Sequence, residues 1–178
     1  ASPGQHGYQR YHLQRFAEIG MALSGEEDIS RLMEMIVHEA REITHADAGT
    51  LYMLNEQRTH LNFVIMQNET MDVFLGGVEG GWISMPPVPL FADGPEGQRV
   101  ENHAHVSAHV AHSSEIVNIP DVYESKAFDF SGTRTYDQQT GYRSRSMLVI
   151  PMRNHEKDVI GVLQLLNARD PESGRVVV

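Results

Sequence analysis

The sequence predicts an α+β domain, and three observations carry that reading. Apolar residues recur at helical spacing through Ile29, Leu32, Met33, Ile36, Val37, Ala40 and Ile43. That is the buried stripe of an amphipathic helix. Two apolar runs, Ser146–Arg153 and Val159–Asn167, flank the polar turn Asn154-His155-Glu156-Lys157-Asp158. They read as a strand hairpin apolar on both faces, so both faces should be covered. A second pair of strands, 47–54 and 60–67, flanks a turn at Asn55–Thr59. Helices and antiparallel strands segregated in this way are the mark of an α+β fold.

Taken in order, residues 1–7 read as a disordered tail and residues 8–178 as a single domain. Tyr8 to Leu23 reads as a helix, with Leu13, Phe16, Ala17, Gly20 and Leu23 near one face, and Ser24-Gly25 breaks it. Asp28 has the right chemistry to cap a second helix that ends near His45. In the strand His60–Gln67, Leu61, Phe63 and Ile65 alternate and should share one face. Residues 68–102 form a long irregular stretch rich in Gly and Pro, with a short strand expected at Trp82–Met85. Loops of that length are usually functional or mobile. A short helix is expected over His103–Ser113 and a short strand over Glu115–Ile119. The polar, turn-rich segment that follows should act as a capture loop in front of the rigid hairpin.

Composition narrows the function. At 178 residues the chain can bury a sizeable core. Its formal charge of −10, with no dense Lys/Arg stripe, argues against nucleic acid as a partner. No apolar run reaches the roughly 18 residues of a membrane span, so no membrane insertion is expected. The absence of cysteine removes disulfides and thiol catalysis and fits a cytoplasmic protein. No G-x-S-x-G elbow and no H-E-x-x-H helix occurs, which weighs against an enzyme.

The order Asn118-Ile119-Pro120-Asp121, Tyr123, Phe128, then Asp137-Gln138-Gln139-Thr140-Gly141-Tyr142-Arg143-Ser144-Arg145-Ser146-Met147-Leu148, then Ile150-Pro151-Met152, then Gly161-Val162-Leu163-Gln164-Leu165-Leu166-Asn167 resembles the second half of GAF domains. These are small-ligand sensory modules of phosphodiesterases, cyclases and histidine kinases. The run Phe128–Arg134, joined to Thr140–Met147, is most similar to GAF domains upstream of bacterial HD-GYP phosphohydrolase domains. The resemblance implies a six-stranded antiparallel sheet, with N-terminal helices on one face and the ligand pocket, built from loops and short helices, on the other. It also implies one more helix after the last strand. The chain stops at Val178 before that helix, so a piece of a longer protein is expected. Two chemistries known in the family, methionine-sulfoxide reduction and bilin attachment, use cysteines that this chain lacks.

The resemblance assigns candidate ligand-binding residues. Trp82, Asp121, Tyr123, Phe128, Asp137, Thr140, Tyr142 and Arg143 should surround the pocket, with the space beneath Trp82, Phe128 and Tyr142 as its centre. Asp137 and Thr140 stand where cyclic-nucleotide members of the family place an Asp and a Thr near the ligand. The alternative is that Asp137 caps the turn that Thr140-Gly141 completes. The alternative for Trp82 is packing as core, which is the stronger reading of a lone tryptophan beside the Gly76–Gly81 turn. The family's cyclic-nucleotide signature begins Asn-Lys, and here Ala168 follows Asn167. His105, His109 and His112 lie at i, i+4, i+7 and are candidate metal ligands or a pH-sensing cluster. Gly76–Gly81 lacks the lysine of a phosphate loop and reads as a flexible turn.

Taken together, the expected role is a non-catalytic regulatory domain that senses a small molecule, a nucleotide among the candidates. It would be covalently linked to an output domain, an HD-GYP phosphohydrolase in a bacterial signalling protein, and would act as a homodimer. The alternative is a dimerisation module with no physiological ligand.

Overall fold

The computed structural model describes residues 26–177. The expected tail 1–7 and the helix Tyr8–Leu23 lie outside the described residues. Helix α1 spans Glu26–Thr44 and leads through His45 into β1, Ala46–Leu54. β2 is His60–Asn68, β3 Val73–Gly76 and β4 Val88–Pro89. β5, Phe91–Asp93, and β6, Arg99–Glu101, pair only with each other. Then come α2, Val106–Ser113, β7, Val117–Ile119, α3, Ser131–Thr140, β8, Met147–Arg153, and β9, Val159–Ala168.

The main sheet runs in the order β3-β2-β1-β9-β8-β7, every neighbouring pair antiparallel. β4 pairs with the other end of β2, which makes seven strands rather than six. The β8–β9 hairpin is the one the sequence predicts. Its turn is closed by Asn154 N–H to Asp158 O at 3.0 Å and Lys157 N–H to Asn154 O at 3.0 Å.

Both faces are covered. On one face Val37 of α1 is fully buried with Leu51, Ile65, Leu163 and Leu165, and Met33 and Ala40 pack beside it. Gly49 permits this close approach, because a Cβ there would lie 2.8 Å from Val37 Cγ1. Arg41 is buried among these residues and reaches Gln67 Oε1 at 3.0 Å and Glu69 Oε2 at 2.7 Å. The apolar stripe of α1 is wider than the sheet can cover, and Ile29 and Ile43 stay exposed. The helix begins at Glu26, so Asp28 sits inside its first turn rather than at its cap. A carboxylate there still complements the helix dipole.

On the opposite face Tyr52, Leu61, Met147, Val149 and Val162 meet α2 and the 119–130 segment through Val106, Val110, Val122 and Phe130. A register shift between Leu51 and Tyr52 opposes Leu51 to Ile65 but Tyr52 to Phe63, which leaves Val64 as an extra residue in β2. This bulge corrects the expected alternation. Leu61 and Phe63 join the core on the α2 side, whereas Ile65 joins the core under α1. An extra residue in one strand of a pair changes which face the next side chains take.

Two further expectations give way. Residues 82–87 have no regular structure, so no strand forms at Trp82–Met85. The segment read as a turn-rich capture loop contains α3, and Asp137 and Thr140 lie in its last turn.

Candidate functional site

A cavity of about 200 Å³ opens between the sheet and the starts of α2 and α3. Alternate residues of β1, Ala48, Thr50 and Tyr52, form its floor with Gln164 and Leu166 of β9 and Met147 of β8. His105, Val106 and Ser107 supply one wall, and Asp129, Phe130, Thr133 and Tyr136 another. Val73, Met85 and Val88 close the side toward the irregular loop. The strand period places these floor residues on one face, while Leu51, Leu163 and Leu165 point to α1.

The lining is largely apolar, with a few polar groups set into it. Thr50 and Ser107 are 8% and 5% exposed. Among the described residues no hydrogen bond reaches the side chains of Thr50, Ser107 or Gln164, and none of the three is sealed from solvent. Their polar atoms therefore face the cavity. Among the described residues no lysine or arginine lines it, and the one carboxylate is Asp129. Asp129 accepts the backbone N–H of Ser131 at 2.9 Å at the start of α3. Hydrogen bonds from Ser131 hold the Asp129 carboxyl below its usual range. His105 caps α2 with extended backbone and no side-chain cap, so the first turn of α2 presents free amides beside the cavity.

None of the eight residues expected to surround a ligand lines this cavity. The structure gives most of them a bracing role instead. Asp137 is 4% exposed and accepts three hydrogen bonds, from Tyr123 OH at 2.9 Å, Ser144 N–H at 2.8 Å and Ser144 Oγ at 2.9 Å. Thr140 Oγ1 donates within α3 to Tyr136 O at 2.7 Å, and Gly141, with φ 75°, ends the helix. Arg143 pairs with Asp121 at 3.2 Å and lies over the Tyr123 ring at 3.7 Å. Tyr142 OH donates to Asp47 Oδ2 at 2.7 Å and accepts from Asn167 Nδ2 at 2.9 Å. Burial, followed by that bond and the charge of Asp47, pushes the Tyr142 phenol well above its usual range. Phe128 packs against the core beside His109 and Phe130. Trp82 is 90% exposed, so it is neither core nor lining. The cavity lies beside Phe128 and Tyr142, lined by Phe130, Tyr136 and Ser144 instead.

Asn167 also accepts the backbone N–H of Arg145 at 2.7 Å and donates to Arg143 O at 2.8 Å. It thereby pins the whole 142–145 segment to the end of β9. Ala168 carries no charge, but the next residue, Arg169, forms an ion pair with the buried carboxylate of Asp47.

Of the three expected imidazoles, His105 leaves the group, whereas His109 and His112 both stand beside His103, their ring centroids 5.0 and 5.5 Å from its own. His105 turns to the cavity, with Nδ1 3.1 Å from Asn102 Nδ2. His109 instead meets His103, Nδ1 to Nδ1 at 2.8 Å, and His103 Nε2 lies 2.9 Å from Glu101 Oε2. His112 Nε2 donates to Leu90 O at 2.5 Å. Among the described residues no group of three or more side chains is arranged to hold a metal ion.

Sequence reasoning passed over Thr50, Ser107 and Gln164. The signal was present in part: Gln164 is the one polar residue inside Val162-Leu163-Gln164-Leu165-Leu166, and a polar break in a strand buried on both faces needs a partner.

The GAF domain family matches residues 28–175. The cGMP-specific 3',5'-cyclic phosphodiesterase of Drosophila sechellia is 26% identical over 157 residues, covering 85% of this chain and 12% of that protein. The dual 3',5'-cyclic-AMP and -GMP phosphodiesterase 11 of Drosophila melanogaster is 40% identical over 67 residues, 38% of this chain and 4% of that protein. The chain thus spans only a small part of the length of these relatives. Among solved structures, the GAF domain of a phosphoenolpyruvate-protein phosphotransferase from Coxiella burnetii superposes with a TM-score of 0.55 at 15% identity, covering 87% of this chain and 74% of that one. The GAF domain of the Acinetobacter phosphoenolpyruvate-protein phosphotransferase gives 0.53 at 17%, covering 94% and 79%. A family match that takes in most of the sequence, on a sheet and cavity of this form, establishes that the chain belongs to the GAF domain family.

Proposed function

We propose that this domain is a non-catalytic regulatory module that binds a small molecule in the cavity above β1 and β9. The observation that carries the reading is the cavity itself. It is open, mostly apolar and set with the buried Thr50 and Ser107 side chains, which have no hydrogen-bond partner among the described residues. Concave, largely apolar sites with a few placed polar groups are the usual form of ligand pockets. Among the described lining residues the hydroxyl that meets a carboxylate is Ser144, whose partner Asp137 is buried and also held by Tyr123 and the Ser144 N–H. That is a brace more than a nucleophile–base pair, which favours binding over turnover.

A ligand held between the sheet and α2 and α3 would favour the state in which those helices are docked, and that differential affinity is what a regulatory domain transmits. The braced residues Asp121, Tyr123, Asp137, Tyr142 and Arg143 would act on the ligand by fixing the wall it touches. The phosphodiesterase relatives put cyclic nucleotides among the first compounds to test. The Phe128–Arg134 and Thr140–Met147 runs support an HD-GYP phosphohydrolase as the linked output, in a cytoplasmic bacterial signalling protein. Exposed Ile29 and Ile43 on α1 favour a second element of the reading, self-association through that helix.

The test is a native mass spectrum of the protein as purified, followed by a denaturing spectrum of the same sample. A mass excess released on denaturation, and lost in Ala48→Met, which fills the cavity floor, is the expected result. A bare protein that also gives no thermal shift with a broad metabolite panel overturns the sensory reading.

A further inference from the structure

We infer that the cavity selects an uncharged planar heterocycle with an amide edge, read by Thr50 and Gln164, rather than a phosphorylated nucleotide. This rests on the sensory reading above and narrows its ligand class.

Thr50 and Gln164 are direct partners in the β1–β9 register, and both line the cavity floor. Side chains directly opposite in an antiparallel pair stand about 5 Å apart at Cβ, the span of one edge of a ring. The carboxamide of Gln164 offers a coplanar acceptor and donor, and the Thr50 hydroxyl serves as either. A neighbouring N–H and C=O on a ligand ring is the complement of that pair. Neither side chain has a protein partner among the described residues, so a ligand edge gains hydrogen bonds without breaking any.

The rest of the lining suits a ring and disfavours an anion. Tyr52, Phe63 and Phe130 present aromatic surface, and Met147 is a polarisable filler beside them. About 150 Å³ is enough to hold a benzene ring, so the 200 Å³ found here fits a compact heterocycle. Among the described residues no arginine or lysine lines the cavity to neutralise a phosphate, and the Asp129 carboxylate adds negative charge to the wall. The buried Ser107 hydroxyl is a neutral donor matched to a ring carbonyl. The amides at the start of α2 suit a carbonyl or an anion alike, so the preference against charge rests on Asp129 and on the lack of basic groups among the described lining residues.

The experiment measures binding and melting temperature with hypoxanthine, uracil and nicotinamide against cyclic GMP and cyclic AMP. The proteins are the wild type, Thr50→Val and Gln164→Leu. At least one uncharged amide is expected to bind about tenfold or more tighter than either cyclic nucleotide. Each substitution should weaken it about tenfold or more. Replacing an unpartnered polar group that is buried (Thr50) or half-buried (Gln164) by an apolar one of similar shape should leave the ligand-free melting temperature unchanged or higher. That combination separates a ligand-reading pair from a structural one. Cyclic nucleotides binding as tightly as the amides, with both variants unaffected, would overturn the inference and leave the sensory reading standing. A fall in ligand-free melting temperature in both variants, or no binding by any of the three amides, would also overturn it.

Discussion

Tyr142 donates its hydroxyl hydrogen to Asp47 at 2.7 Å across 95 residues of chain. This bond ties the segment after α3 to the first residues of β1, and Asn167 and Arg169 at the end of β9 join it from the other side. Removing the hydroxyl in Tyr142→Phe leaves Asp47 with one donor fewer and Asn167 Nδ2 with one acceptor fewer, Arg143 O remaining. A loss of about 2 kcal/mol is expected, because a hydrogen bond to a buried carboxylate is broken. Urea denaturation of the two proteins side by side measures it.

Asp137 and Thr140 should respond very differently to substitution. Asp137→Ala strands Ser144 N–H, Ser144 Oγ and Tyr123 OH at once. The expected cost is about 3 kcal/mol. Thr140→Val removes a bond within one helical turn, and about 0.5 kcal/mol or less is expected. Equal effects in chemical denaturation would show that the brace does not centre on Asp137.

The Asp121 carboxyl is pushed up by burial, but the Tyr123 backbone N–H and the Arg143 and Arg145 guanidiniums outweigh this and hold it below its usual range. A carboxyl lowered in the folded state adds stability that is fully present above its unfolded value of about 3.9. That stability is lost as pH falls through the folded value. Asp121→Asn should therefore be less stable than wild type at pH 7, and the gap should close as pH falls below about 4. Melting curves between pH 7 and pH 3 check it, and a gap that widens on acidification contradicts it.

Trp82 is the only tryptophan, and its side chain is 90% exposed. Its emission should match that of free indole in water, and a neutral quencher should reach it without hindrance. Trp82→Ala should change stability by about 0.5 kcal/mol or less. A blue-shifted, protected emission would place the residue in the interior instead.

Much of the fold was legible because its strongest signals are local and long. The α1 stripe, the 60s strand and the β8–β9 hairpin announce themselves through periodicity, and the Asn118–Asn167 motifs carry the family. α3 was not legible, because Ser131-Gly132-Thr133-Arg134-Thr135-Tyr136-Asp137-Gln138-Gln139-Thr140 has no apolar stripe. Its anchor is a buried carboxylate held by Ser144, which no helical periodicity reveals. The eight residues read as ligand-binding lie away from the cavity for a related reason. Polar residues in a loop look ready for a ligand, yet Asp121, Asp137 and Tyr142 spend their hydrogen bonds on one another's neighbours. The polar residues left free, Thr50 and Gln164, were hidden inside strands that read as core. Their pairing depends on the β1–β9 register, a long-range fact.

The extra residue at Val64 makes β2 a strand that changes phase partway along. Upstream of it Leu61 and Phe63 serve the cavity side, and downstream Met66 lines the cavity while Ile65 serves the helix side. The domain should therefore accept added or missing residues in the 55–59 turn or the 77–87 loop. A single deletion within β2 would realign one half of the strand against β1 and exchange what the two halves bury. Length variation among relatives of this chain is expected to spare that strand.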